Sequence, residues 1–232
     1  MNALNHYSMA LDRTKTDPHL GDAVHRNLVE MGVETPMVES VAKNFEEKYH
    51  SIMSNIREIM SILGLDLKDD SLRETPKRIT KMYLNEIFWG LDYNNFPKIT
   101  TIENKMQYEN MLLERNIKVA SQCEHHFIPM MGEAFIAYLP DKKVIGLSKI
   151  NRIVEFFSRR PQVQERLTEQ IFHTLCLILD TEDVAVLIKA EHTCVKLRGV
   201  EDVNSDTITS RLGGKFLEGA SLRNEFYQSI KL

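Results

Sequence analysis

Two short segments, far apart in the chain, carry most of its soft metal-ligating side chains. One is Cys123-Glu124-His125-His126, and the other is His192-Thr193-Cys194, about 70 residues later. Together they hold two of the three cysteines and three of the eight histidines. Thiolate and imidazole are donors that zinc accepts, at about 2.0–2.3 Å. A fold that uses both segments on one ion has to bring them to the same place. Spare imidazoles beside an ion with an open position mark a catalytic arrangement rather than a structural one.

Local pattern places some of these donors and leaves others open. Strand alternation over 183–195 sets Val184, Val186, Ile188, Ala190, His192 and Cys194 on one face, and Lys196 and Arg198 continue it. The first segment is undecided by spacing. A regular strand pairs Cys123 with His125; a turn or bulge pairs Cys123 with His126, and Cys-x-x-His is a common zinc half-site. Two plainer readings stand beside these: packed strand residues with no metal, or a closed four-ligand site with His192 as the fourth donor. The third cysteine, Cys176, lies in an apolar stretch and reads as a buried helical thiol.

The rest of the chain changes period once. Residues 1–20 read as disordered or loosely attached. A short helix is predicted over 22–31, ended by Gly32. A longer one is predicted over 39–63, with Val41, Phe45, Tyr49, Ile52 and Ile56 at spacings of three and four and Gly64 at its end. Thr75-Pro76 predicts an N-cap and first helical position for a helix over 76–89. Residues 111–139 then read as strands divided by a turn at Met131-Gly132, and 144–147 as a short strand. Ser148 is the expected N-cap of a helix with Ile150, Ile153, Val154 and Phe157 on one face. Pro161 opens another helix, with Val163, Leu167, Ile171, Leu175 and Ile178 inward. A polar loop after Gly199, a Thr/Ser-rich strand to about 216 and a terminal helix to 230 complete an α+β order with an N-terminal helical extension.

Charge and composition narrow the class of partner. The 29 basic and 33 acidic side chains leave a net charge of −4, which argues against a non-specific nucleic-acid binder. No apolar run approaches the roughly 20 residues that cross a bilayer. Residues 1–22 are polar and lack the apolar stretch of a secretory signal. The expectation is a cytoplasmic protein with reduced thiols and neither a membrane nor a nucleic-acid partner. Small anions remain open. Ser148, Lys149 and Arg152 cluster at a predicted helix start, where backbone N–H groups favour negative charge. Arg78 and Lys81 lie three apart on another helix. Each of these charges alone reads as solvated surface. In Gln164-Glu165, a carboxylate can accept the N1–H and exocyclic amine of guanine, although Glu165 also reads as an ordinary first-turn glutamate.

With these residues assembled, the chain resembles the GTP cyclohydrolase I family in its bacterial zinc-dependent form. The resemblance is carried by Cys-Glu-His-His-Phe (123–127), Val-Ile-Gly-Leu-Ser-Lys-Ile-Asn-Arg (144–152), Arg-Pro-Gln-Val-Gln-Glu-Arg-Leu-Thr (160–168) and His-Thr-Cys-Val-Lys-Leu-Arg-Gly (192–199). Glu-Thr-Pro-Lys-Arg (74–78) and Leu-Gly-Gly (212–214) add to it, and it runs from about residue 51 to the C-terminus. It implies a tunnelling fold (T-fold) of a four-stranded antiparallel sheet and paired helices. It also implies a catalytic domain over 51–232, helical to about 90 with the T-fold core from about 107, behind a partly flexible segment over 1–50. The implied assembly is a homodecamer of two pentamers with sites between subunits. The implied reaction opens the imidazole ring of GTP, releases formate and yields 7,8-dihydroneopterin triphosphate. Residue by residue, Cys123, His126 and Cys194 match the ligands of one zinc per subunit. His125, His192 and Ser148 match proton-transfer positions, Gln164 and Glu165 guanine recognition, and Lys149, Arg152, Arg198, Arg78 and Lys81 triphosphate binding. The alternative is a zinc-binding T-fold interaction protein that has lost catalysis. It predicts a missing imidazole or guanine carboxylate, and His125, His192 and Glu165 are all present.

Overall fold

The computed structural model describes residues 12–38 and 44–231. They fall into two compact units, one containing Pro36–Trp89 and the other Arg13–Thr35 with Gly90–Leu232. No helix among the described residues is long and apolar enough to cross a membrane.

Helix α1 (Pro18–Glu30) belongs to the second unit. It starts four residues earlier than its apolar stripe predicts, because Asp17 Oδ1 accepts from the Leu20 N–H at 3.1 Å and Pro18 takes the first turn. The first unit holds α2 (Phe45–Ile62) and α3 (Thr75–Met82). Asn44 caps α2 by accepting from Glu47 N–H at 3.0 Å, and Gly64 follows its end at φ +81°. The predicted start of that helix, residues 39–43 with Val41, lies outside the described residues. Thr75 is the first helical residue of α3 rather than its cap; Glu74 holds the cap position without a side-chain bond. Regular α-helix stops at Met82 and a π-helical turn, Tyr83–Ile87, replaces the predicted continuation to 89.

The second unit is α+β, with a mainly antiparallel sheet, as the order of elements predicts. Strand β1 (Thr101–Glu103) pairs with β4 (Lys143–Ile145). The main sheet has the order β5-β2-β3-β6-β7. Its four antiparallel members are β2 (Leu112–Cys123), β3 (Pro129–Tyr138), β6 (Val184–His192) and β7 (Thr207–Leu212). A fifth, β5 (Pro161–Gln162), runs parallel to the end of β2. Pro161 therefore begins this short strand instead of opening a helix. Helix α4 (Leu147–Ser158) takes Gly146 as its N-cap, leaving Ser148 inside the first turn. Helix α5 (Gln164–Leu179) begins after Val163. Three helices follow: α6 (Thr193–Lys196), α7 (Gly214–Glu218) and α8 (Ala220–Ile230).

The turn expected at Met131-Gly132 is not there. Both residues lie inside β3, and the chain reverses at 124–128. Gly132 has a packing reason: a Cβ at this position would stand 2.0 Å from the Lys189 carbonyl oxygen on β6. Helices α4 and α5 cover one face of the sheet through Ile150, Ile153, Val154, Phe157, Leu167, Ile171 and Leu175, all essentially inaccessible. Phe216, Phe226 and Ile230 cover Phe135, Ala137, Ala185 and Leu187 on the other face. Strand β6 is thus buried on both sides from Val184 to Ile188, which explains its unbroken apolar run. Each buried Val, Leu or Ile of this strand contributes about 1.5–3 kcal/mol relative to an exposed one.

Candidate metal centre

Antiparallel register brings the two ligand-rich segments together. Gln122 of β2 pairs with Pro129 of β3, and Met130 of β3 pairs with His192 of β6. The end of β2, the start of β3 and the end of β6 therefore share one edge of the sheet. The reversal after β2 is a tight turn in which the Cys123 carbonyl accepts from His126 N–H (3.3 Å) and Phe127 N–H (2.8 Å). Phe127 closes it at φ +53°. This curl sets side chains 123 and 126 on the same side. On the other segment, β6 stops at His192 and the chain winds into α6, which swings Cys194 toward the turn. Alternation had extended the strand through 195; His192 and Cys194 reach the site from a strand end and a helical turn instead. Lys196, expected on the same face, pairs with Glu191 at 2.9 Å.

The donor atoms of Cys123, His126 and Cys194 all lie within 4.8 Å of one another. Cys123 Sγ is 3.9 Å from His126 Nδ1. A tetrahedral zinc with bonds of about 2.0–2.3 Å separates its donors by roughly 3.6–3.8 Å. The Cys123–His126 separation already matches such an ion, and the widest separation in the set closes by at most about 1 Å to reach it. Burial, and next the Cys123 thiol, push Cys194 above the ordinary cysteine value. A cation between them reverses that. His125 Nδ1 is likewise 3.9 Å from Cys123 Sγ, but His125 is outside the three-donor group. Its ring is exposed, with Nε2 4.0 Å from Glu124 Oε1.

The surrounding side chains hold these groups. Arg166, on the first turn of α5, grips the Glu124 carboxylate with Nη1–Oε2 at 2.5 Å and Nη2–Oε1 at 3.5 Å. Nothing local in the sequence points to this pair, whose members are separated by 42 positions. Arg198 donates to His126 Nε2 at 2.8 Å. His192 Nε2 lies 2.8 Å from Gln164 Oε1. Burial pushes the His192 imidazole below its ordinary value, and the nearby Glu165 carboxylate opposes that. Glu165 itself is exposed in the first turn of α5. Gln164 is 1% exposed with its amide bonded within the chain, so the expected guanine contact is not open to its side chain. Ser148, Lys149 and Arg152 lie on the first two turns of α4, with Ser148 exposed. Arg78 and Lys81 lie on α3, in the helical unit.

Cys176 stays apart from this chemistry. Burial, with help from Glu182, pushes its thiol up to about 12. Iodoacetamide at pH 8 is expected to leave Cys176 unmodified in the folded protein and to label it on unfolding. Peptide mass spectrometry reads the site; rapid native labelling would show an accessible thiolate.

Comparison with known proteins gives the following matches. A model of the GTP cyclohydrolase I family matches residues 52–231. A protein of Mannheimia succiniciproducens with the name GTP cyclohydrolase 1 is 54% identical over 209 residues, covering 90% of this chain and 95% of its own. Proteins of the same name from Histophilus somni and Haemophilus influenzae are 53% and 52% identical, with the same coverage.

Proposed function

The chain belongs to the GTP cyclohydrolase I family, and we propose that Cys123, His126 and Cys194 hold one zinc ion per subunit while His125, His192 and Ser148 move protons beside it. The activity is that of the family: hydrolytic opening of the guanine imidazole ring of GTP, release of formate, and rearrangement to 7,8-dihydroneopterin triphosphate. It is the first step of tetrahydrofolate and pterin biosynthesis. The observation that carries the residue assignment is the three-donor group with an exposed imidazole next to it but outside it.

A zinc with three protein ligands supplies a Lewis acid and activates water near neutral pH. The chain supplies the rest. His125 delivers a proton to the imidazole nitrogen of the base as water adds at C8, and imidazole suits that transfer near neutral pH. Burial favours the neutral form of His192, the form that accepts a proton, and the Glu165 carboxylate opposes that. Ser148 joins the later transfers on the ribose. Glu165 accepts the N1–H and exocyclic amine of guanine. Lys149, Arg152 and Arg198, with Arg78 and Lys81, neutralise the triphosphate, which anchors the substrate and does not react. Arginine only donates hydrogen bonds, so the Arg198 contact leaves the His126 ring proton on Nδ1. Held on a metal through Nδ1, His126 would carry its ring proton on Nε2 and would no longer accept from Arg198, whose guanidinium would then be available to phosphate.

We place the protein in the cytoplasm as a T-fold homodecamer of two pentamers, with residues 51–232 as the catalytic domain and the cations drawn from more than one subunit. Purified, zinc-loaded protein incubated with GTP is expected to release formate and a fluorescent neopterin product. Formate no higher than that from Cys123→Ser would sink the proposal.

A further inference from the structure

The geometry points to Gln164 as a positioning residue that holds His192 in a single tautomer, with the proton on Nε2 and the basic lone pair on Nδ1. This rests on the proton-transfer role given to His192 above. Gln164 opens α5 and is 1% exposed. Its amide nitrogen faces three oxygens: the Ile188 carbonyl at 3.0 Å, the Thr207 carbonyl at 2.9 Å and Thr209 Oγ1 at 3.2 Å. Two of these are backbone carbonyls, which can only accept. Turning the amide over would set Oε1 against both of them, so its orientation is decided without reference to His192.

The hydroxyls agree. Thr168 Oγ1 donates to the Gln164 carbonyl at 2.9 Å. Thr209 Oγ1, 2.7 Å from Thr168 Oγ1, then donates to Thr168 and keeps a lone pair for the Gln164 amide. Every bond in this circuit between α5, β6 and β7 has one direction. Gln164 Oε1 is therefore an acceptor, and His192 Nε2, 2.8 Å away, is the N–H that meets it. A neutral imidazole has one N–H, so Nδ1 is left as the base. Both polar atoms of the Gln164 side chain are engaged in this work, which separates its role from the guanine recognition assigned to its neighbour Glu165.

The test is steady-state formate release from GTP by zinc-loaded wild type, Gln164→Ala, His192→Ala and the double variant. Gln164→Ala is expected to lower kcat by about 10- to 100-fold, the scale for groups that orient a functional imidazole. KM for GTP stays within about twofold, and the double variant is no slower than His192→Ala, because residues that act through one another are not additive. A raised KM with kcat retained would make Gln164 a substrate contact and overturn the inference alone. So would a double variant whose loss is the product of the single losses. Wild-type kcat in His192→Ala would remove the role of His192 itself and the inference with it. Thr209→Val deletes one of the three acceptors and keeps the side-chain shape, so it serves if Gln164→Ala fails to fold. It is expected to lower kcat about two- to fivefold, the worth of one hydrogen bond, at unchanged KM; an unchanged kcat would count against the inference.

Discussion

His125→Ala is expected to keep one zinc per subunit and to lose formate release by about 10²- to 10⁴-fold, the usual contribution of a positioned acid or base. His126→Ala is expected to lose the metal itself. The two rings are sequence neighbours and both stand 3.9 Å from Cys123 Sγ, so distance to that sulfur does not divide them. Cys194 does. Only His126 joins both sulfurs within ligand reach. His125 Nε2 lies 4.0 Å from the Glu124 carboxylate, which Arg166 holds in turn. Zinc content measured by atomic absorption, alongside formate, separates the outcomes. A His125→Ala protein without metal would show that the adjacent imidazoles exchange roles.

The second large effect concerns the frame rather than the site. Arg160→Ala is expected to destabilise the fold by about 3–5 kcal/mol, the cost of breaking a buried ion pair from one side. For a chain of this size that is a fall in Tm on the order of 10 °C. The Arg160 side chain is 1% exposed and its partner Glu34 13%. Its Nη1 donates to Glu34 Oε1 at 3.3 Å, Thr35 Oγ1 at 3.4 Å and Tyr93 Oη at 3.2 Å, and Nη2 donates to the Gly90 carbonyl. The guanidinium carbon lies 4.8–5.0 Å from the ring centres of Tyr93, Phe156 and Phe157. Burial, the largest influence, drives the Tyr93 phenol well above its ordinary value, so its hydroxyl keeps its proton and donates to Glu34. Without Arg160, the Glu34 carboxylate keeps its burial and loses its cation. Arg160→Met with Glu34→Gln removes both charges and is expected to recover much of the loss. Thermal unfolding of the three proteins checks this; a single variant within about 1 kcal/mol of wild type would mean that water enters the cluster.

These two clusters differ in how much of them the sequence discloses. The candidate metal donors stand in compact motifs, and residue chemistry alone singles out those two segments. Arg160 sits in a quoted motif too, yet no pattern in 160–168 reveals a partner at Glu34, 126 positions away. Helix faces were legible where one side is buried: Ile150, Ile153, Val154 and Phe157 face inward as their spacing predicts. Boundaries were less legible because they depend on single hydrogen bonds. Asp17, not the apolar stripe, starts α1, and Gly146 displaces Ser148 as the cap of α4. Gly132 looked like a turn because glycine serves both turns and close approach, and periodicity does not distinguish them.

By itself the sequence determined the candidate donors, the α+β order and the family, since residue type and motif spacing are properties of the chain. Which histidine lies with both cysteines was a different matter. Strand period favoured His125, and the resemblance favoured His126. The curl at Cys123–Phe127 and the winding of α6 after His192 gather Cys123, His126 and Cys194. Both depend on backbone bonds between β2, β3 and β6, which exist only once the sheet is registered. The direction of the Gln164 amide is decided in the same way, by carbonyls of two strands that no local pattern in α5 can see.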